Sequence, residues 1–133
     1  QNYRAAFMRL INVYQQRGDM EGVDRVLRRM EEMIPFDVIP TPQPRMMLYF
    51  GQLYEMAGSE DEFLRLAELA FEQAPNNNYV VGTYVSLLQR YEEYEKAIEV
   101  LQVWQERFPS DNEAQRKIEE IRRQMNAPDT VLN

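Results

Sequence analysis

Tyr14, Gly18 and Pro35 recur as Tyr54, Gly58 and Pro75, each 40 residues on, and Pro75 recurs as Pro109 after 34. Such a period means that one supersecondary unit is repeated, each copy burying its apolar face against its neighbours. Within each unit, large residues fall at helical spacing: Phe7, Leu10 and Tyr14, then Met47, Phe50 and Tyr54, then Val81, Tyr84 and Leu88. A second apolar set follows in each, Val23 and Leu27, Phe63 and Ala67, Ala97 and Leu101. The glycine between the sets supplies left-handed backbone at a tight helix end, and the proline closes the second helix. The pattern predicts an all-α chain of three helix pairs, about 4–35, 44–75 and 78–109, and a capping helix at 110–126. That last helix carries Ala114, Ile118, Ile121 and Met125 on one narrow stripe, with charge elsewhere. Residues 127–133 read as a frayed tail.

The unit pattern resembles the tetratricopeptide repeat, Trp-x2-Leu-Gly-x2-Tyr, then Ala-x3-Phe, then Pro. The first unit reads Phe7-x2-Leu10-Ile11-x2-Tyr14, Val23-x3-Leu27, Pro35, and the second Met47-x2-Phe50-Gly51-x2-Tyr54, Phe63-x3-Ala67, Pro75. The third reads Val81-x2-Tyr84-Val85-x2-Leu88, Ala97-x3-Leu101, Pro109. Ile11 and Val85 replace the small residue of the first helix, and Glu92 stands where the third turn glycine belongs. The resemblance implies a short right-handed superhelix whose first helices line a concave groove. Outward-facing groove positions would then be Met8, Arg9 and Asn12, then Arg45, Leu48, Tyr49 and Gln52, then Tyr79, Thr83 and Ser86. The two-carboxylate clamp of the chaperone-tail binders in that family is absent: Asn12 fits it, but Met8, Tyr49, Tyr79 and Thr83 occupy its other places. Arginine and tyrosine are enriched at interface hot spots, which makes Arg9, Asn12, Arg45, Tyr49, Gln52, Tyr79 and Ser86 candidates for holding a protein or peptide partner.

Ser59-x-x-Glu62 and Ser110-x-x-Glu113 read as capping boxes, and Asp19 as the cap of the second helix. Between the first two units, 36–44 carries Pro40, Pro42 and Pro44 and must run extended. It is either a connector tucking Phe36, Val38 and Ile39 onto the helices or a rigid lip over one end of the array.

Catalysis finds little support in the composition. The 133 residues include no Cys and no His, which removes thiolate nucleophiles, zinc knuckles and the commonest general base. Glu60-Asp61-Glu62 and Glu92-Glu93-Glu95 lie where helices start and read as solvated ends. Ser86 has no His or Lys neighbour to activate it, and no Gly-rich phosphate loop exists. The expectation is a chain that is not an enzyme and uses no cofactor and no metal. A net charge of −7 argues against nucleic acid as a partner. Arg25, Arg28 and Arg29, like Arg116, Lys117, Arg122 and Arg123, are interleaved with acids at i,i+3 and i,i+4 and read as solvated faces. No apolar run approaches the roughly 20 residues that span a bilayer, so direct membrane insertion of this segment is not expected.

The chain opens in helical pattern at Tyr3 without an initiator methionine, and reads as a piece of a longer protein. Arg29 to Pro35, then Val38-Ile39-Pro40, then Gly51-Gln52-Leu53-Tyr54-Glu55-Met56-Ala57-Gly58 resemble part of the C-terminal soluble tail of a family of large bacterial multi-pass membrane proteins. That family is similar to glycosyltransferases of the protein-O-mannosyltransferase type. The resemblance implies a non-catalytic, extracytoplasmic (periplasmic) appendage whose partner is its own parent membrane protein. It places no catalytic residue on this chain. The two function readings are therefore an interaction module using the groove and a structural appendage packed on its parent.

Overall fold

Seven α-helices follow one another along residues 3–35 and 43–127, the residues described in this computed structural model. They are α1 (Tyr3–Gln16), α2 (Met20–Met33), α3 (Pro44–Met56), α4 (Glu60–Gln73), α5 (Asn78–Arg90), α6 (Tyr94–Arg107) and α7 (Asn112–Asn126). Among the described residues there is no strand. The chain is all-α, and its helix pairs pack as in a helical-repeat fold. The connector reading rests on 36–42 and the frayed-tail reading largely on 128–133; both segments lie outside the described residues.

The repeat is written in the backbone as clearly as in the letters. At the end of α1, α3 and α5, the N–H groups of Asp19, Ser59 and Glu93 donate to the carbonyls of Tyr14, Tyr54 and Leu88 at 2.9, 2.8 and 2.8 Å. The N–H groups of Gly18, Gly58 and Glu92 donate to Gln15, Glu55 and Gln89, each at 3.0 Å. This pair of bonds is the Schellman closure, which needs a left-handed residue just past the helix. Gly18 and Gly58 supply it at φ 71° and 94°, and Glu92 adopts it at φ 61° despite its side chain. The ends of α2, α4 and α6 match each other too. Ile34, Ala74 and Phe108 sit at φ −135°, −137° and −131° and donate to the carbonyls of Met30, Ala70 and Trp104. Each precedes a proline, which forbids the helical conformation at the residue before it.

Helix starts differ in part from expectation. The Asp19 carboxylate caps α2, accepting from the Gly22 N–H at 2.9 Å. Ser59 stands at the cap of α4 but makes no capping bond; its hydroxyl donates to Asp24 at 2.9 Å and accepts from Arg28 at 3.0 Å. A charged network outcompetes the local cap. The second capping box is displaced by one residue: Asp111, not Ser110, caps α7 by accepting from the Glu113 N–H. The carboxylate is the stronger acceptor, and Trp104 holds it in place at 2.7 Å. Pro44 opens α3, where a missing N–H costs nothing.

The chain divides into two compact units, Gln1–Pro75 and Asn76–Asn133. In the first, α1 packs on α2, α2 on α3 and α3 on α4. Met47, Phe50, Leu53 and Tyr54 from α3 and Phe63, Leu66, Ala67 and Ala70 from α4 are buried in its core. Gly51 is the small residue that permits this: a Cβ there would lie 2.5 Å from the Phe63 ring and 3.2 Å from its Cα. Leu10 departs from the repeat expectation. It is 48% exposed and Val13 41%, whereas Phe50 and Leu53, their equivalents 40 residues on, are buried. Ile11 carries the inward face of α1 instead.

In the second unit α5 packs on α6 and α6 on α7. Ala114, Ile118 and Ile121 form the expected buried stripe of α7, but Met125, a turn beyond, is 40% exposed.

Candidate functional site

The proposed groove residues divide between the units. In the first, Arg9 and Asn12 are exposed on α1, and Arg45, Tyr49 and Gln52 lie at i, i+4 and i+7 on α3, all three exposed. Met8 is half-buried. Leu48 corrects the sequence reading: it is 1% exposed and belongs to the core, as an apolar residue beside Met47 on the buried side of α3 will. In the second unit Tyr79 and Ser86 are exposed on α5 and Thr83 is half-buried.

In the second unit a groove residue lies in a concave site. Ser86 lines a cavity of about 220 Å³ whose α5 wall also includes Val81, Gly82 and Val85. Leu101 and Trp104 of α6 contribute apolar surface, and Asp111, Ala114 and Lys117 line it from the α7 side. The indole N–H of Trp104 donates to Asp111 at 2.7 Å, and the Trp104 ring stacks at a tilt 4.4 Å from Phe108. The hydrogen bond from the Trp104 N–H, with the backbone N–H groups of Glu113 and Ala114 and the Arg116 charge, outweighs desolvation and holds the Asp111 carboxyl below its usual range. Asp111 therefore stays charged at the edge of an apolar hollow. Lys117 beside it is 3.4 Å from Glu120.

A second constellation ties α2, α3 and α4 together within the first unit. Glu31 accepts the Tyr54 hydroxyl at 2.7 Å and Arg65 at 2.8 Å. Arg65 also donates to Glu62 at 2.7 Å, and Arg28 reaches Asp24, Ser59 and Glu62 at 2.8, 3.0 and 3.4 Å. The Arg28 guanidinium lies 5.3 Å from the centre of the Tyr54 ring. Burial first, then the bond to Glu31, pushes the Tyr54 hydroxyl above its ordinary range. Burial pushes Asp24 up, but hydrogen bonds from Arg28 and Ser59 outweigh it and leave the carboxyl low. The expectation of solvated intrahelical pairs is met by Arg29–Glu32 and Arg116–Glu113. Arg28 keeps its expected pair with Asp24 but also bridges to Glu62 on α4, and Arg65, outside that expectation, bridges from α4 to Glu31 on α2. Their partners Glu62 and Glu31 on the neighbouring helix each lie 34 residues away, and that recurring spacing of opposite charges was the available signal.

Among the described residues no group of three or more His, Cys, Asp or Glu is placed to hold a metal ion, and no helix is long and apolar enough to cross a membrane. Neither the protein-family models nor the curated proteins give a match to this sequence.

Proposed function

We propose that this chain is a non-catalytic protein- or peptide-interaction module built as a tetratricopeptide-like array. The observation that carries the reading is the exposed Arg45–Tyr49–Gln52 strip on α3, a helix whose Met47, Leu48, Phe50, Leu53 and Tyr54 are all buried. Exposed tyrosine and arginine on a rigid helix can anchor a peptide by ring packing and charge-assisted hydrogen bonds at little conformational cost. The repeated closures at Gly18, Gly58 and Glu92 support the repeat-family part of the reading. Capture of a native partner by the full chain should fall about tenfold or more with Arg45→Glu and Tyr49→Ala. Unchanged capture by both variants would sink the role given to this strip.

One observation favours a second reading, a structural appendage of a bacterial membrane glycosyltransferase-like protein on the extracytoplasmic side. Ala6, Leu10 and Val13 fall on one exposed face of α1 although the equivalents of Leu10 and Val13 are buried elsewhere. A face of this kind suits packing against a further helix. Under this reading, an antibody to the domain detects in fractionated native cells a large band that leaves the membranes only with detergent. A small soluble band excludes it.

A further inference from the structure

Four of the five glycines have a structural reason to be glycine. Gly18 and Gly58 take positive φ, a Cβ at Gly51 would strike Phe63, and one at Gly22 would lie 2.5 Å from the Tyr14 ring. Gly82 has neither reason. It sits inside α5, where glycine weakens a helix relative to alanine, and a Cβ built on it meets nothing within 4 Å. The repeat shows what is missing. Counted from Phe7, Met47 and Val81, the same register position holds Met8, Leu48 and Gly82. Leu48 is fully packed, whereas Gly82 opens onto the cavity of about 220 Å³. A dry cavity of about 150 Å³ is enough to hold benzene, so the hollow has room for a bulky side chain.

We propose that this hollow receives a bulky apolar side chain of a partner peptide whose adjacent residue is basic. The proposal rests on the interaction-module reading and names the site and the class of partner. Val85, Leu101 and Trp104 provide the apolar lining, and the missing Gly82 side chain leaves room for the incoming one. Charge sets the neighbouring residue. Asp111 and Glu113 border the hollow; Glu113 is paired with Arg116 and Lys117 with Glu120, which leaves the Asp111 carboxylate as the rim acid outside an ion pair. Asp111 is bonded by the neutral N–H groups of Trp104 and Glu113 and feels the Arg116 charge only from beyond ion-pair distance, so its carboxylate can take a cation at contact. With 22 acids against 15 bases, the whole chain also steers basic partners toward itself.

The test is anisotropy of fluorescein-labelled Gly-Ser-Phe-Arg-Ser-Gly titrated with the full chain at low ionic strength. Replacing the probe's Phe by Ala, or its Arg by Glu, should each weaken binding about tenfold. Gly82→Leu restores the side chain that Leu48 supplies at the same register position on α3. It should weaken the Phe-Arg probe about tenfold while the denaturation midpoint holds or rises. Asp111→Asn keeps a competent cap and an acceptor for Trp104, and should abolish the preference for Arg over Glu in the probe. Undiminished binding to Gly82→Leu, or no saturable binding of the Phe-Arg probe to the native chain, overturns the proposal. If a native partner is lost with Arg45→Glu yet retained by Gly82→Leu, the module stands and the Gly82 site falls.

Discussion

Glu92 holds a conformation that its two counterparts assign to glycine. A residue with a Cβ in the left-handed region carries about 1 kcal/mol of strain, which the surrounding helix closure must absorb. Glu92→Gly should therefore raise the urea midpoint by the equivalent of roughly 0.5–1 kcal/mol, and Gly58→Glu should lower it by a similar amount. Equal and opposite shifts would show that the three turns share one energetic role; no shift at Glu92 would mean that its side chain compensates the backbone. The Gly-to-Glu substitution was visible in the sequence, but its outcome was not. A letter change does not reveal whether the backbone follows the residue or the fold, and here it followed the fold. Caps were legible to a similar degree. Asp19 was evident because the N–H it accepts from, that of Gly22, lies three residues on in the helix it caps. Ser59 was misread because its hydroxyl is claimed by Asp24 and Arg28, more than 30 residues earlier.

Between helices, the Glu31 carboxylate joins three elements: α2 on which it sits, α3 through Tyr54 and α4 through Arg65. Removing it leaves a buried hydroxyl and a guanidinium without that acceptor. Glu31→Ala should cost about 1–3 kcal/mol, far more than Glu32→Ala on the exposed side of the same helix. Comparable losses for the two would mean that the network adds nothing beyond a surface pair. Asp24 makes the same network sensitive to acid. Its folded-state carboxyl is lower than its unfolded one, so its contribution is complete above the ordinary carboxylate range of about 4 and is lost as pH falls through the folded value. Asp24→Asn should flatten the fall in stability below roughly pH 5, read as the pH dependence of the melting temperature. The helices themselves were legible from apolar spacing, and their order and pairing from the repeat. The bridging role of Arg28 and Arg65 was not, since each also has an acid one turn away that satisfies a purely local reading.

Over the whole chain, equal positions in the repeat carry unequal energies. Leu10 and Val13 occupy the places of Phe50 and Leu53, yet only the latter pair is buried. Replacing both Leu10 and Val13 by Gln should move stability by less than about 0.5 kcal/mol per site, whereas Phe50→Ala should cost about 3–5 and Leu53→Ala about 2–5 kcal/mol. A large loss at Leu10 would mean that α1 packs on that face in solution. The cavity at Gly82 was the least legible feature, because a hole is written in the sequence only as the smallness of one residue among four other glycines. Trp104 adds a spectroscopic consequence. It is the chain's one tryptophan, and it is buried in the second unit with its indole bonded to Asp111. Excitation at the red edge of protein absorption therefore collects light from α6 alone, so an emission melt follows Asn76–Asn133 while Gln1–Pro75 can unravel in the dark. Far-ultraviolet ellipticity sees every helix at once, and the gap between the two curves is a direct reading of how independently the two units melt.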